Sequence, residues 1–443
     1  MNSLILRCQI YLANSLNWFA TRSFKVGKNT CAKLIYFASR MDPSRKLYRD
    51  NLASFGFSDE DFMNLPSKTL PFYNFIEASK ILEYKISVIE ENKTIKMDLP
   101  KVINKIYRIN DSYACTMQLP SSYLAEINEA QALPGTDCIM VNNIIIYDEI
   151  DKSNISQYAI KSKIVKKVNK TNITIRMTKK IVPINEAIHL FKDHSSNYFH
   201  WIVENLPRLS LTTNIDPSVP ILVEEGLPQQ YYDALKIANV QNRKIIYARK
   251  NKRYKVKKLY YPSPLSTVKD NYGVPVYNKD SIYNDTGIVY VRDNVIKALS
   301  DKKTPQKRRL FISRKNSDYR QLTNTNEIEG ILISRGFEIV FPENLSFASQ
   351  VKLFSQAEII MGQSGAGMAN FVFANSKCRI LMLVSDSPST NLHLFGALAS
   401  ALGLTMEYLI GKSLSMRSKY SIHADFSIDP KELENHLDKI GIK

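Results

Sequence analysis

The stretch Ala357–Phe373, AEIIMGQSGAGMANFVF, decides how the rest of the chain is read. An apolar run ends in the small-residue loop Gly362-Gln363-Ser364-Gly365-Ala366-Gly367, and a second apolar segment follows. A short, nearly continuous apolar run is the pattern of a strand covered on both faces of a parallel sheet. The pattern repeats on either side. RRLFIS, FEIVFP, EIIMG, RILMLV and MEYLI read as strands, and TNEIEGILISRG, SFASQVKLFSQA, GMANFVFA and TNLHLFGALASALG as the helices between them. Asn324 or Thr325 is placed to cap the first helix and Ser346 the second. A last helix, DPKELENHLDKI, opens with Asp429 at its N-cap and Pro430 at its first position. Residues 308–411 thus read as a doubly wound, Rossmann-like α/β unit. Such sheets bind ligands at the carboxyl ends of their strands, here just after Ser313, Phe341, Gly362 and Val384.

Upstream, from about residue 185, strands and helices also alternate. AIHLF, PILVE, KIIYA and KKLYYP read as strands, PQQYYDALKIANV as a helix, and NYFHWIVENLPRLSL as a helix bent or broken near Pro207. Residues 86–182 read as strand-rich, with strands near Lys85–Ile89, Cys138–Tyr147 and Thr171–Met177. The lysine-rich KSKIVKKVNK there reads as a solvated basic face. Residues 59–85 read as short helices, and Asp59-Glu60-Asp61 as acids favouring a helix N-terminus rather than a metal-binding triplet. Residues 1–41 carry Arg7, Arg22, Lys25, Lys28, Lys33 and Arg40 but no acid, and Leu4, Cys8, Tyr11, Leu12 and Phe19 fall near one helical face. A basic amphipathic helix of this kind lies in a membrane interface or packs on the protein body.

The 443 residues imply two or three domains. The expected division is a basic helical region at 1–60, an N-terminal domain at 61–287 with a strand-rich insertion at about 86–182, a Rossmann-like domain at 288–426 and a terminal helix at 427–443. Lysine and arginine outnumber acids 60 to 42, a formal charge of +18, which favours an anionic partner. No recognised nucleic-acid motif accompanies that charge. Cys8, Cys31, Cys115, Cys138 and Cys378 are scattered and never form a CxxC pair, which argues against a zinc or disulfide framework and for a reducing compartment. No window approaches the roughly 18 apolar residues of a membrane span, and Arg7, Gln9, Asn14 and Asn17 interrupt any signal-peptide core.

Ser364 admits two readings. As a nucleophile elbow it needs G-x-S-x-G, but Ala366 takes the fifth position, and only Asp386 with His393 or His423 follows in triad order. As part of an anion cradle, Ser364, Gly365, Ala366 and Gly367 let a ligand approach backbone N–H groups at a helix start, and this reading fits the residues better. Arg314 and Lys315 end the first strand of the same domain and face the same crevice, with Arg320 in the loop beyond. Arg314 can fork onto a diphosphate. Glu343, after the second strand, is placed to meet a ribose or base. In FHWIVENLPRL, His200, Glu204 and Arg208 share a polar helical face at i, i+4 and i+8. His200 and Glu204 are a candidate general base with its orienting partner; the alternative is a surface Glu204–Arg208 pair with a structural histidine. Asp193 and His194 precede that helix.

Together these motifs resemble family 61 of the glycosyltransferases. FHWIVENLPR, ISRKNSDYRQLTNTNEIE, GFEIVFPENLSFASQ and GQSGAGMANFVF match the order and spacing of its motifs over about residues 185–385. The resemblance implies a GT-B-like fold, two Rossmann-like domains facing a cleft with the nucleotide-sugar in the C-terminal half, and an inverting mechanism without a metal site. It places Arg314, Arg320 and Gly365-Ala366-Gly367 at the donor diphosphate, Asn370 at the closing asparagine of the glycine motif, and His200 and Glu204 at the cleft. Ser364 replaces the usual histidine of that motif, and the Arg320 to Asn326-Glu327 spacing is longer than usual. The expected protein is a cytoplasmic glycosyltransferase, peripheral on the inner face of the cell membrane, that builds a surface polysaccharide. It would use a nucleotide-sugar donor and a glycan or lipid-linked acceptor, with no metal, no other cofactor and no nucleic acid.

Overall fold

The structure is a computed structural model and describes residues 66–98, 100–104, 116–147, 164–268, 281–299, 307–387, 390–415 and 423–443. The expected amphipathic helix and Asp59-Glu60-Asp61 lie outside the described residues.

The chain is a mixed α/β protein built on an eleven-stranded and a seven-stranded sheet. In the smaller sheet five parallel strands, Arg308–Ile312, Phe337–Val340, Ala357–Gln363, Arg379–Ser385 and Thr405–Ser415, stand side by side in the order second, first, third, fourth, fifth. Alternate side chains enter different cores. Leu310, Ile312, Ile360 and Met382 pack with helices Phe347–Ser355 and Leu392–Ala401. Phe311, Met361, Leu381 and Leu383 pack with Thr325–Ser334 and Pro430–Lys439. Both faces are therefore covered, which is why the central residues of the strands are mostly apolar while Arg308, Arg309, Glu338, Glu358 and Arg379 stand near the strand starts. Ser346 and Asp429 cap their helices through Ser349 N–H and through Lys431 and Glu432 N–H. Asn324 occupies an N-cap position, but its amide donates to the Ile428 carbonyl instead of capping.

The larger sheet holds a second parallel set, Ile181–His189, Ile221–Glu224, Ile245–Ala248 and Arg253–Pro262, in the order third, second, first, fourth. The long strand Ser122–Ala132 runs antiparallel to Arg253–Pro262 and carries the sheet onward. Two expectations are corrected here. Ser67–Tyr73 is a strand, and only Phe75–Leu82 of that region is helical, with an Asn74–Glu77 capping box. The segment 138–147 is a hairpin, Ile139–Val141 with Ile144–Ile146, turned by Asn142 and Asn143 at positive φ.

One apolar core joins the two sheets. It takes Ile188, Ile221 and Trp201 from the first half and Ile312, Met368 and Phe395 from the second. The N-terminal strand-rich region contributes to both halves: Lys101–Val102 pairs parallel with Glu407–Tyr408 at the edge of the smaller sheet. Among the described residues no helix is long and apolar enough to cross a membrane.

Candidate active site

The FHWIVENLPRL segment is not one α-helix. Tyr198–His200 is a single α-turn, Trp201–Asn205 is a π-turn closed by Leu206 N–H on the Trp201 carbonyl, and Leu206–Thr212 is a 3-10 helix. Pro207 explains the break, because it has no N–H to continue an α-ladder. The changed winding separates residues that α-helical spacing would align. Glu204 and Arg208 both lie buried, and they serve different partners.

His200 Nδ1 donates to Glu204 Oε2, and both side chains are almost wholly enclosed. The other oxygen, Oε1, accepts Val268 N–H at 2.9 Å and lies 3.9 Å from Lys192 Nζ. Burial alone would raise the Glu204 pKa, but the charges of Lys192 and His200, the His200 hydrogen bond and His194 together hold it below the ordinary carboxylate value. Glu204 is therefore an ionised anchor. When His200 is neutral and Nδ1 carries the proton towards Glu204, the basic lone pair of the ring is on Nε2. The His194 ring stands 4.9 Å from that of His200. Asp193 accepts from the Tyr147 hydroxyl.

Arg208 instead belongs to a buried polar cluster behind this pair. Its Nε donates to the Pro262 carbonyl at 2.9 Å and its Nη1 to the Phe191 carbonyl at 3.0 Å, and Asp137 Oδ1 lies 3.7 Å from Nη1. Tyr261 donates its hydroxyl to Asp137 Oδ2, and His189 stands 3.8 Å from Asp137 Oδ1. Burial, followed by the Arg208 charge, pushes the His189 pKa well below its ordinary value.

The second constellation gathers at the carboxyl ends of the parallel strands, at the point where strand order reverses between Arg308–Ile312 and Ala357–Gln363. The Arg314 guanidinium lies directly on Gly365. A Cβ at Gly365 would overlap Arg314 Nη1 and come within 2.8 Å of its Cζ. Burial and then the Arg320 charge push the Arg314 pKa down to about 10, against the opposing pull of Glu343, so Arg320 and Glu343 each lie within electrostatic reach of Arg314. The Arg314 guanidinium also donates to the Tyr319 carbonyl. Ser364 N–H bonds the Leu383 carbonyl, and an eight-residue 3-10 helix, Ala366–Phe373, starts after Gly365. The leading N–H groups of any helix lack intrahelical partners, so those at Ala366 and Gly367 point out of its start.

Two of the donor-side candidates lie apart from this cluster. Lys315 reaches the next helix, bonding Asn326 Oδ1 at 3.0 Å. Asn370 is fully buried behind the glycine loop, where it accepts from Tyr198 and donates to Gln350. The Ser364 hydroxyl makes no hydrogen bond to a histidine among the described residues, Asp386 accepts from Ser413 N–H, and His423 stacks on Tyr319. Among the described residues, no three His, Cys, Asp or Glu side chains are grouped so as to hold a metal ion.

Sequence reasoning passed over Lys192, Tyr198, Asp137 and His189. Lys192 follows a strand's carboxyl end, a signal that was there to use. Nothing in the sequence connects Asp137 to Arg208 across the intervening chain.

The family model described as Glycosyltransferase 61 matches residues 198–381. The matched span opens at Tyr198 and takes in His200, Glu204 and every donor-side candidate through Asn370. The matched span is about two fifths of the chain, and over it the protein is similar to that glycosyltransferase family. No curated protein matches the chain.

Proposed function

We propose that the protein is an inverting, metal-independent glycosyltransferase of GT-B type. It moves a sugar from a nucleotide-sugar to a glycan or lipid-linked glycan of a surface polysaccharide, working at the inner face of the cell membrane. The observation that carries this reading is the seating of Arg314 on Gly365, beside Arg320 and at the start of the Ala366–Phe373 helix. Two cations and outward-pointing N–H groups form a site for a diphosphate. The C-terminal parallel sheet then serves as the donor half, and the 3-2-1-4 strand set with the FHW segment serves as the acceptor half. Glu343 faces the donor's ribose or base, and Ser364 adds a hydroxyl donor.

In the reaction the acceptor hydroxyl oxygen attacks the anomeric carbon as its proton passes to His200 Nε2. The bond from that carbon to the diphosphate oxygen breaks. Glu204 holds the imidazole in its donating tautomer and stabilises the imidazolium that forms. Its own oxygens are committed to His200, Val268 and Lys192, which makes it the orienting group and not the base. Arg314, Arg320 and the loop at 364–367 take the charge of the departing diphosphate.

The test is thermal stabilisation by UDP, GDP, CMP and dTDP with EDTA present, since a ligand that binds only the folded state raises the melting temperature. One nucleotide is expected to give a shift, and Arg314→Ala is expected to remove it while leaving the unliganded melting temperature near wild type. If no nucleotide stabilises well-folded protein, the donor site is misassigned. If only EDTA-free samples respond, the metal-independent part fails.

A further inference from the structure

The two constellations are linked by a chain of buried and part-buried hydrogen bonds that begins two residues from His200. Tyr198, two residues before His200, donates its hydroxyl to Asn370 Oδ1 at 2.6 Å. Asn370 Nδ2 donates to Gln350 Oε1 at 2.8 Å and to the Gly367 carbonyl at 3.1 Å. Gln350 Nε2 donates to the carbonyls of Pro342 at 3.0 Å and Leu345 at 3.2 Å. These two carbonyls bracket Glu343, on the 3-10 turn Pro342–Asn344. The same Leu345 carbonyl accepts Gln230 Nε2 from the first half at 2.6 Å. Asn370 is wholly buried and Gln350 nearly so. Burial holds the Tyr198 phenol far above its ordinary pKa, so it stays a donor.

We infer that Tyr198, Asn370 and Gln350 are positioning residues that hold the His200 base in register with the donor cradle. The inference rests on the glycosyltransferase reading above. Its ground is connectivity: one end is covalently two residues from the base, the middle bonds the Gly367 carbonyl in the cradle, and the far end fixes the turn that carries Glu343. An amide in the middle of such a chain has its donor and acceptor both engaged, so its plane is fixed. Neither Tyr198 nor Gln350 has to touch substrate for this. Each acts by limiting how far the acceptor-side base can drift from the diphosphate, and a misplacement of about 1 Å can lower turnover about a hundredfold.

The test uses the full chain, the nucleotide found in the thermal panel and its sugar derivative. Tyr198→Phe keeps the ring and removes only the oxygen. The nucleotide Kd is expected within about twofold of wild type, with kcat lowered about ten- to hundredfold. Gln350→Glu, which breaks the chain at its other end and leaves the His200 turn untouched, is expected to repeat the kcat loss. A second readout needs no turnover. Nucleotide binding should shift the His200 imidazole resonances in wild type and shift them much less in Tyr198→Phe. Wild-type kcat in folded Tyr198→Phe, or equal imidazole shifts in both proteins, overturns the inference. A wild-type protein that binds no nucleotide is a different failure, that of the glycosyltransferase reading itself.

Discussion

Gly365→Ala isolates the diphosphate clamp with a single carbon atom. Gly365 has φ −179°, extended backbone that any residue adopts, so alanine brings no backbone strain there. The three atoms nearest the added carbon all belong to Arg314, whose Nη1 it would overlap and whose Cζ and Cδ it would approach to 2.8 and 3.1 Å. The guanidinium must retreat by about 1–2 Å to regain ordinary separations of about 3.5–4.0 Å. It sits at the end of a flexible side chain, so the fold absorbs the shift easily. A phosphate held by that guanidinium loses a charge-assisted hydrogen bond worth about 1.5–3 kcal/mol, which is about a 10- to 150-fold weaker complex. Titration calorimetry with the stabilising nucleotide measures the loss, and circular dichroism melting checks that the unliganded fold is intact. Because both changes act through one guanidinium, Arg314→Ala combined with Gly365→Ala should be little worse than Arg314→Ala alone. Wild-type nucleotide affinity in Gly365→Ala, or full additivity of the two changes, would refute the clamp.

Two further predictions concern the buried cluster beneath the His200 pair. Arg208→Met removes the cation from Asp137 and the donors from the Phe191 and Pro262 carbonyls; breaking a buried pair this way costs about 3–5 kcal/mol, read as a lower urea midpoint. His189 has an ordinary pKa of 6.5 and a folded pKa well below it. The unfolded chain therefore takes up a proton below pH 6.5 that the folded chain refuses, and stability falls as pH drops through that region. Urea midpoints measured from about pH 7 down to about pH 5 should decline less steeply in His189→Gln than in wild type.

What could be read from the sequence follows from how local each signal is. The strands of residues 308–411 are legible because burial on both faces gives each a short, mostly apolar centre, and Ser346 and Asp429 announce helix starts through bonds to their own neighbours. His200 and Glu204 could be paired in advance because they are four residues apart and truly in contact. Arg208 could not be placed correctly, since its position depends on the π-turn that Pro207 brings about. The Asn142-Asn143 turn carried a local signal that the apolar run around it masked. Tyr198 and Asn370 meet across 172 residues, and no local pattern records that. The same is true of Arg314 on Gly365, where only the strand-end rule hinted at a meeting.

The edge strand Lys101–Val102 has a consequence for how the molecule is made. Asn104 Nδ2 donates to the Ile410 carbonyl at 2.7 Å and Ile410 N–H returns a bond to Asn104 Oδ1, while Asp98 N–H bonds Ser400 Oγ. Pro100 also rests against Gly396, where a Cβ would come within 2.8 Å of its ring. These contacts join residues about 300 positions apart. On the ribosome this segment emerges long before its partners exist, and at about 5–20 residues per second it waits on the order of 15 to 60 seconds for them. The second half cannot be completed from its own residues, so a fragment starting near residue 288 lacks an edge strand and exposes the flank of Thr405–Ser415. An early segment of this chain therefore pairs with a late one, and a fragment holding only the second half lacks that strand.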